Sequence, residues 1–113
     1  MEIITNPIPR SKLLTMAQQG FGNFVKGVVD IEQEIIAVDA ELHADQEAEL
    51  LKNGSQQANL WGINLYPEIE TDDWIEFDSM INLRPTQNNK TRGVDSPEIR
   101  TKICEIVNKL VRE

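Results

Sequence analysis

The sequence lacks several features that define common protein classes. It has one cysteine, Cys104, so an internal disulfide is excluded. Its one histidine, His43, belongs to no His-Glu-x-x-His or Cys/His ligand set, which argues against a tight zinc site. No stretch approaches the run of about 18 apolar residues that a membrane span needs. The first residues, Met1–Thr5, lack the basic and apolar regions of a signal peptide. Together these absences predict a cytoplasmic protein.

Basic residues are also scarce. The formal net charge is −8 at pH 7, because 19 Asp and Glu residues outnumber 11 Lys and Arg residues. Phosphate backbones and anionic membranes require clustered Lys and Arg, so we expect neither general nucleic-acid binding nor membrane binding. The 40% hydrophobic and 27% charged content is that of an ordinary globular protein. A length of 113 residues predicts one domain, covering residues 1–113, with one core.

Apolar alternation and helical periodicity predict an α+β fold. The predicted strands are Glu2–Thr5, Phe24–Ile31, Glu34–His43, Asn59–Tyr66 and Trp74–Arg84. The predicted helices are Arg10–Gln19, Gln46–Lys52 with Asp45 as its N-cap, and a last helix capped by Ser96. The resulting order is β-α-β-β-α-β-β-α. Consecutive hairpins favour a mostly antiparallel sheet of four to five strands, with the helices packed on one face. We expect the last helix on the face that carries Phe77 and Ile81.

Polar side chains fall in phase on the predicted strands, because successive side chains point to opposite faces. The residues expected to share one outer face are Asp39, Glu41, His43, Asn64, Tyr66, Glu76, Asp78, Asn82 and Arg84. The simplest interpretation is the solvated face of an antiparallel sheet. The functional interpretation is a binding site, since Asp and Asn are poor strand formers and stand there at a cost.

A basic loop follows the last predicted strand. Between Ser79 and Val94 there are three cations, Arg84, Lys90 and Arg92, and no acidic residue. Such a loop suits a phosphate or a carboxylate, which Arg contacts through two parallel hydrogen bonds. The alternative is a solvated connection whose cations offset the acidic body. The loop lacks the glycine spacing of a phosphate-cradling motif, so no nucleotide site is predicted.

Three functional hypotheses follow from these patterns. The first is a binding or regulatory domain that recognises an anionic small molecule or a partner protein. The second is a metal-dependent or hydrolase-like enzyme that uses Glu41, His43, Glu76 and Asp78. The third is a structural subunit, such as a homo-oligomer, without chemistry of its own. The absence of a nucleophile or a second histidine favours binding, and no cofactor or catalytic residue is identified. The candidate ligand-binding residues are His43, Asp78, Asn82, Arg84, Lys90 and Arg92.

Four stretches of the chain carry a family resemblance. They are Glu41–Asp45, Trp61–Pro67, Trp74–Pro85 and Arg92–Val94. With these stretches, nearly the whole chain resembles a family of small bacterial and archaeal proteins of unknown function. The resemblance implies one complete domain, and it implies no activity, cofactor or site residue.

Overall fold

The computed structural model describes the whole chain, residues 1–113, and confirms the α+β class. In chain order, the elements are β1 (Glu2–Ile4), β2 (Ile8–Pro9), α1 (Arg10–Gln19), β3 (Val25–Asp30), β4 (Ile35–Val38), α2 (His43–Lys52), β5 (Leu60–Leu65), β6 (Ile75–Glu76), α3 (Pro97–Leu110) and β7 (Val111–Arg112). Single 3₁₀ turns occupy Gln57–Asn59, Asp72–Trp74, Met80–Asn82 and Pro85–Gln87. None of the helices combines the length and the apolar content that crossing a membrane would require.

The main sheet has five strands in the order β1-β4-β3-β5-β6, and every neighbouring pair is antiparallel. This confirms the predicted sheet type and strand number. The two-residue strands β2 and β7 pair in parallel in a separate small sheet, which the sequence pattern did not predict. Strands of two residues carry too few side chains to show an alternation.

Helices α1 and α3 cover one face of the sheet, as predicted. Leu13 and Ala17 of α1 are fully buried there, and Ile103 and Val107 of α3 join them in the largest apolar cluster. Helix α3 begins at the predicted cap, because the Ser96 hydroxyl accepts the backbone N–H of Ile99 in the first turn.

Helix α2 covers the opposite face, so the prediction of helices on one face is right only for α1 and α3. Leu50 of α2 packs with Val28, Ala37 and Leu60 in a second buried cluster. The sequence of β4 carried a signal for this second covering layer, because apolar residues occupy both of its faces. A sheet that is apolar on both sides needs a covering layer on each. The prediction of one wholly solvated polar face is therefore wrong.

The predicted strand Trp74–Arg84 is wrong beyond its start. Only Ile75 and Glu76 pair with β5, and the chain then leaves the sheet for the turn Met80–Asn82. Phe77 packs against the α1/α3 cluster, whereas Ile81 packs against the α2 cluster. These two residues were expected on one face and instead lie on opposite faces.

A side chain replaces the missing strand along the edge of β5. The backbone N–H of Gly62 donates to Asn82 Oδ1 at 2.8 Å, and Asn82 Nδ2 donates to the Gly62 carbonyl at 3.0 Å. The side-chain amide thus supplies the same donor and acceptor that a neighbouring strand would supply. Gly62 is required because a Cβ there would lie 2.5 Å from the Cβ of Ser79. Asn82 is fully buried, so this pairing is shielded from water.

The loop after Asn82 is ordered by a second buried asparagine. Asn89 Nδ2 donates to the carbonyls of Asn82 and Gly93, each at 2.8 Å. Asn89 Oδ1 accepts the backbone N–H of Asp95 at 2.8 Å. The stretch predicted as a basic loop is therefore held in place by the hydrogen bonds of a buried side chain.

The two faces of α3 should differ in their response to truncation. We expect Ile103→Ala to lower the free energy of unfolding by about 2–5 kcal/mol, because it removes a fully buried side chain. Thr101→Ala, on the exposed side of the same helix, should change it by less than about 0.5 kcal/mol. Urea titrations of the two variants test this, and equal losses would contradict the assignment of the buried stripe.

The Asn82 pairing can be tested by removing only its donor. We expect Asn82→Asp to lower the free energy of unfolding by at least about 2 kcal/mol, because a buried carboxylate would face the carbonyls of Gly62 and Arg92. Asn108→Asp, exposed on α3, adds the same charge and serves as the control. If the two substitutions cost the same in urea titrations, the side-chain amide is not a substitute strand.

Candidate functional site

One cavity brings together three of the six predicted site residues. It has a volume of about 250 Å³, and His43, Asp78 and Arg92 line it. It lies between the start of β3, the start of α2, the end of β5 and the segment 78–81. The other three candidates, Asn82, Arg84 and Lys90, lie outside it.

Those three residues have structural or solvent-exposed positions. Both polar atoms of the Asn82 side-chain amide already form hydrogen bonds in the pairing with Gly62 described above. Arg84 stacks on Trp61, with Cζ 4.1 Å from the ring centroid, and its Nη2 donates to the Leu60 carbonyl at 2.6 Å. Burial lowers the pKa of Arg84 from its ordinary value. Lys90 is exposed. The candidate cations Arg84, Lys90 and Arg92 therefore do not share one site, because Arg84 stacks back onto β5 and only Arg92 lines the cavity.

His43 is the first residue of α2 and not the end of a strand, so its predicted context is wrong although its place in the cavity is right. Only 8% of the residue is exposed. Its Nε2 lies 2.8 Å from the Ile63 carbonyl, which can only accept, so Nε2 carries the proton. Burial lowers the pKa of His43, against the opposing effects of Ile63 and Asn64. His43 is therefore a neutral imidazole whose Nδ1 is an acceptor.

Asp78 and Arg92 form an ion pair at the mouth of the cavity. Arg92 Nε lies 2.8 Å from Asp78 Oδ1, and both side chains are about half exposed, at 55% and 46%. At this exposure the pair contributes little stability, typically under about 1 kcal/mol. Its effect is geometric, because it fixes the guanidinium while the two terminal nitrogens form no hydrogen bond within the chain.

Asn64 and Glu76 form the polar network beside the cavity. Asn64 Nδ2 donates to Glu76 Oε1 at 2.9 Å, and the Tyr66 hydroxyl donates to the same oxygen at 3.1 Å. Burial and the neighbouring Glu76 raise the pKa of Tyr66. The sequence pattern did place these three residues on one side of the sheet, and the structure confirms that they meet.

Sequence reasoning missed Lys26 and the apolar rim of the cavity. Lys26 is the one charged residue in the apolar run Phe24–Val29, and this isolation in the sequence could have marked it as a candidate site residue. It forms no ion pair, and its Nζ lies 5.3 Å from the centroid of the Phe21 ring. Leu42 and Met80 are 54% and 64% exposed beside the opening, but an exposed apolar residue is visible only in the structure.

The carboxylates of the predicted polar face do not assemble. No three His, Cys, Asp or Glu side chains lie close enough together to hold a metal ion. Asp39 and Glu41 line a separate depression of about 200 Å³ beside Phe21 and Phe24. The residues proposed for a metal-dependent enzyme are thus divided between two places.

Acid should destabilise the wild-type protein partly through His43. Its pKa is lowered in the folded state, so the unfolded chain binds the proton more readily once the pH falls through about 6.5. The stabilisation is complete above that pH and is lost below it. We expect the difference in unfolding free energy between wild type and His43→Gln to shrink from pH 7.5 to pH 5.5. Urea titrations at both values test this, and a difference that does not change with pH would contradict a neutral buried imidazole.

Comparison with known proteins places the chain in a family. No curated protein and no solved structure matches it. A family model described as "Protein of unknown function (DUF5674)" matches residues 2–110, which is nearly the whole chain. The chain therefore belongs to the DUF5674 family of proteins of unknown function.

Proposed function

We propose that this protein is a small binding domain that holds an anionic small molecule in the cavity lined by His43, Asp78 and Arg92. The observation that carries the proposal is the Arg92 guanidinium, which Asp78 fixes in place while its terminal nitrogens stay free. A fixed guanidinium with two free donors matches a carboxylate or a phosphate.

The local charge supports an anionic ligand. Among the residues that line the cavity, the cations Lys26 and Arg92 outnumber the one carboxylate, Asp78, and His43 is neutral. The chain as a whole carries a charge of −8, so its general field repels anions. The locally positive lining of this cavity therefore offers an anion the cationic donors of Lys26 and Arg92.

The apolar lining indicates what else the ligand carries. Phe24, Leu42, Met80 and Ile81 surround the polar groups of the cavity. Small-molecule sites generally combine an apolar wall with a few placed polar groups. We therefore propose a ligand with an anionic end and a short apolar part.

The contacts that the polar groups of the cavity already make favour binding over catalysis. The Ile63 carbonyl fixes the tautomer of His43, but no hydrogen bond joins the imidazole to a hydroxyl or thiol that it could activate. Asp78 is committed to Arg92. We further propose a cytoplasmic setting, where a lone thiol such as Cys104 remains reduced.

The proposal predicts that donor-free anions bind through Arg92. We expect 4-methylpentanoate and propyl phosphate to shift the backbone amide resonances of cavity residues in ¹⁵N correlation spectra. Arg92→Gln should weaken this binding about tenfold, equivalent to about 1.4 kcal/mol. Added salt should weaken it as well, because the cations are partly exposed.

Lys90→Gln is the matched control, since it removes one exposed cation of the same loop outside the cavity. Its affinity should equal that of the wild type. If Lys90→Gln and Arg92→Gln weaken binding equally, the effect is a general field effect and the site is wrong. If neither anion perturbs the cavity at millimolar concentration, the proposed function is wrong.

A further inference from the structure

One buried acceptor in the cavity has no partner. Asn64 is only 7% exposed and lines the cavity, and its Oδ1 atom forms no hydrogen bond. Buried polar groups are nearly always hydrogen-bonded, because leaving one unpaired after removing it from water is costly. An exception inside a cavity points to a group that the cavity is built to receive.

The orientation of the Asn64 amide follows from its neighbours. The Glu76 carboxylate can only accept, so the atom 2.9 Å from Glu76 Oε1 must be the Nδ2 donor. The Tyr66 hydroxyl donates to the same oxygen and holds the carboxylate in place. A flipped amide would put two oxygens together. Oδ1 is therefore the atom turned away from Glu76.

A second acceptor lies in the same wall. His43 uses Nε2–H on the Ile63 carbonyl, which leaves a lone pair on Nδ1. The Asn64 side chain lies close enough to the imidazole to oppose the lowering of its pKa, so the two acceptors are neighbours. The cationic donors of the cavity do not serve these acceptors, since Lys26 lies over Phe21 and Arg92 Nε binds Asp78. The cavity thus presents free acceptors on Asn64 and His43, and free donors on Arg92 and Lys26.

We infer, resting on the proposed function, that the anionic ligand also carries a neutral N–H or O–H donor, which Asn64 Oδ1 receives. Its class is a small hydroxy acid, an acid amide or a hydroxylated phosphate ester. The anion meets Arg92 and Lys26, and the donor meets Asn64, while His43 Nδ1 can accept a second hydrogen bond from the ligand. A ligand without a donor leaves Asn64 Oδ1 unpaired, so the cavity selects ligands that carry the donor over those that lack it.

Matched probe pairs test the inference. The pairs are 4-methylpentanoate against 2-hydroxy-4-methylpentanoate, and propyl phosphate against glycerol 3-phosphate. In ¹⁵N titrations at pH 7.5, we expect the hydroxylated member of each pair to bind at least tenfold more tightly. It should also shift the side-chain NH₂ resonances of Asn64, whereas the donor-free member should not.

Asn64→Leu removes the acceptor and should reduce the affinity ratio within each pair to about one. Asn108→Leu, an exposed asparagine on α3, is the control and should keep the wild-type ratio. If Asn64→Leu does not fold, the inference is tested on the wild type alone. It then depends on the affinity ratio within each probe pair and on the shift of the Asn64 side-chain NH₂ resonances.

The outcomes separate the two proposals. Equal binding within both pairs, still dependent on Arg92, overturns the donor inference and leaves the anion site standing. A hydroxyl preference that persists in Asn64→Leu also overturns the inference, because another group then receives the donor. Absence of binding by all four probes overturns the proposed function and the inference with it.

Discussion

The pairing of the Asn82 amide with Gly62 is the contact on which the candidate site depends. β6 ends after two residues, so the rest of the β5 edge would be bare without another partner. The amide supplies one donor and one acceptor at the spacing of a strand, and it does so in a fully buried position. The close approach requires the absent Cβ at Gly62, where Ser79 fills the space.

This contact reaches the cavity through one backbone carbonyl. The carbonyl of Arg92 accepts from Asn82 Nδ2 and from the backbone N–H of Ser79, both at 2.9 Å. Ser79 directly follows Asp78, so the two residues of the ion pair are tied to β5 through the same asparagine. The guanidinium is therefore placed by buried hydrogen bonds, although its own side chain is half exposed.

Local sequence signals predicted the elements that depend on local rules. The bounds of α1 were predicted to the residue, and β3 and β5 were predicted to within one residue at each end. The prediction for the stretch after Trp74 was wrong because Ile75 and Phe77 alternate as they would in a strand. The path of the chain is set instead by the Asn82 amide, whose partner Gly62 lies 20 positions away. His43, Asp78 and Arg92 were three of six candidates chosen from face and loop position, and the other three do not join them in the cavity. The unpaired Asn64 oxygen depends on neighbours across the sheet, which no local pattern encodes.

The use of a side chain in place of a strand along the edge of β5 also bears on self-association. An amide side chain can leave an edge far more easily than a paired strand can, because only one residue has to move. Once Asn82 withdraws, the backbone N–H and C=O of Gly62 are left unpaired within an apolar strand, and such an exposed edge is a template for edge-to-edge aggregation. The same withdrawal separates Arg92 from its anchor.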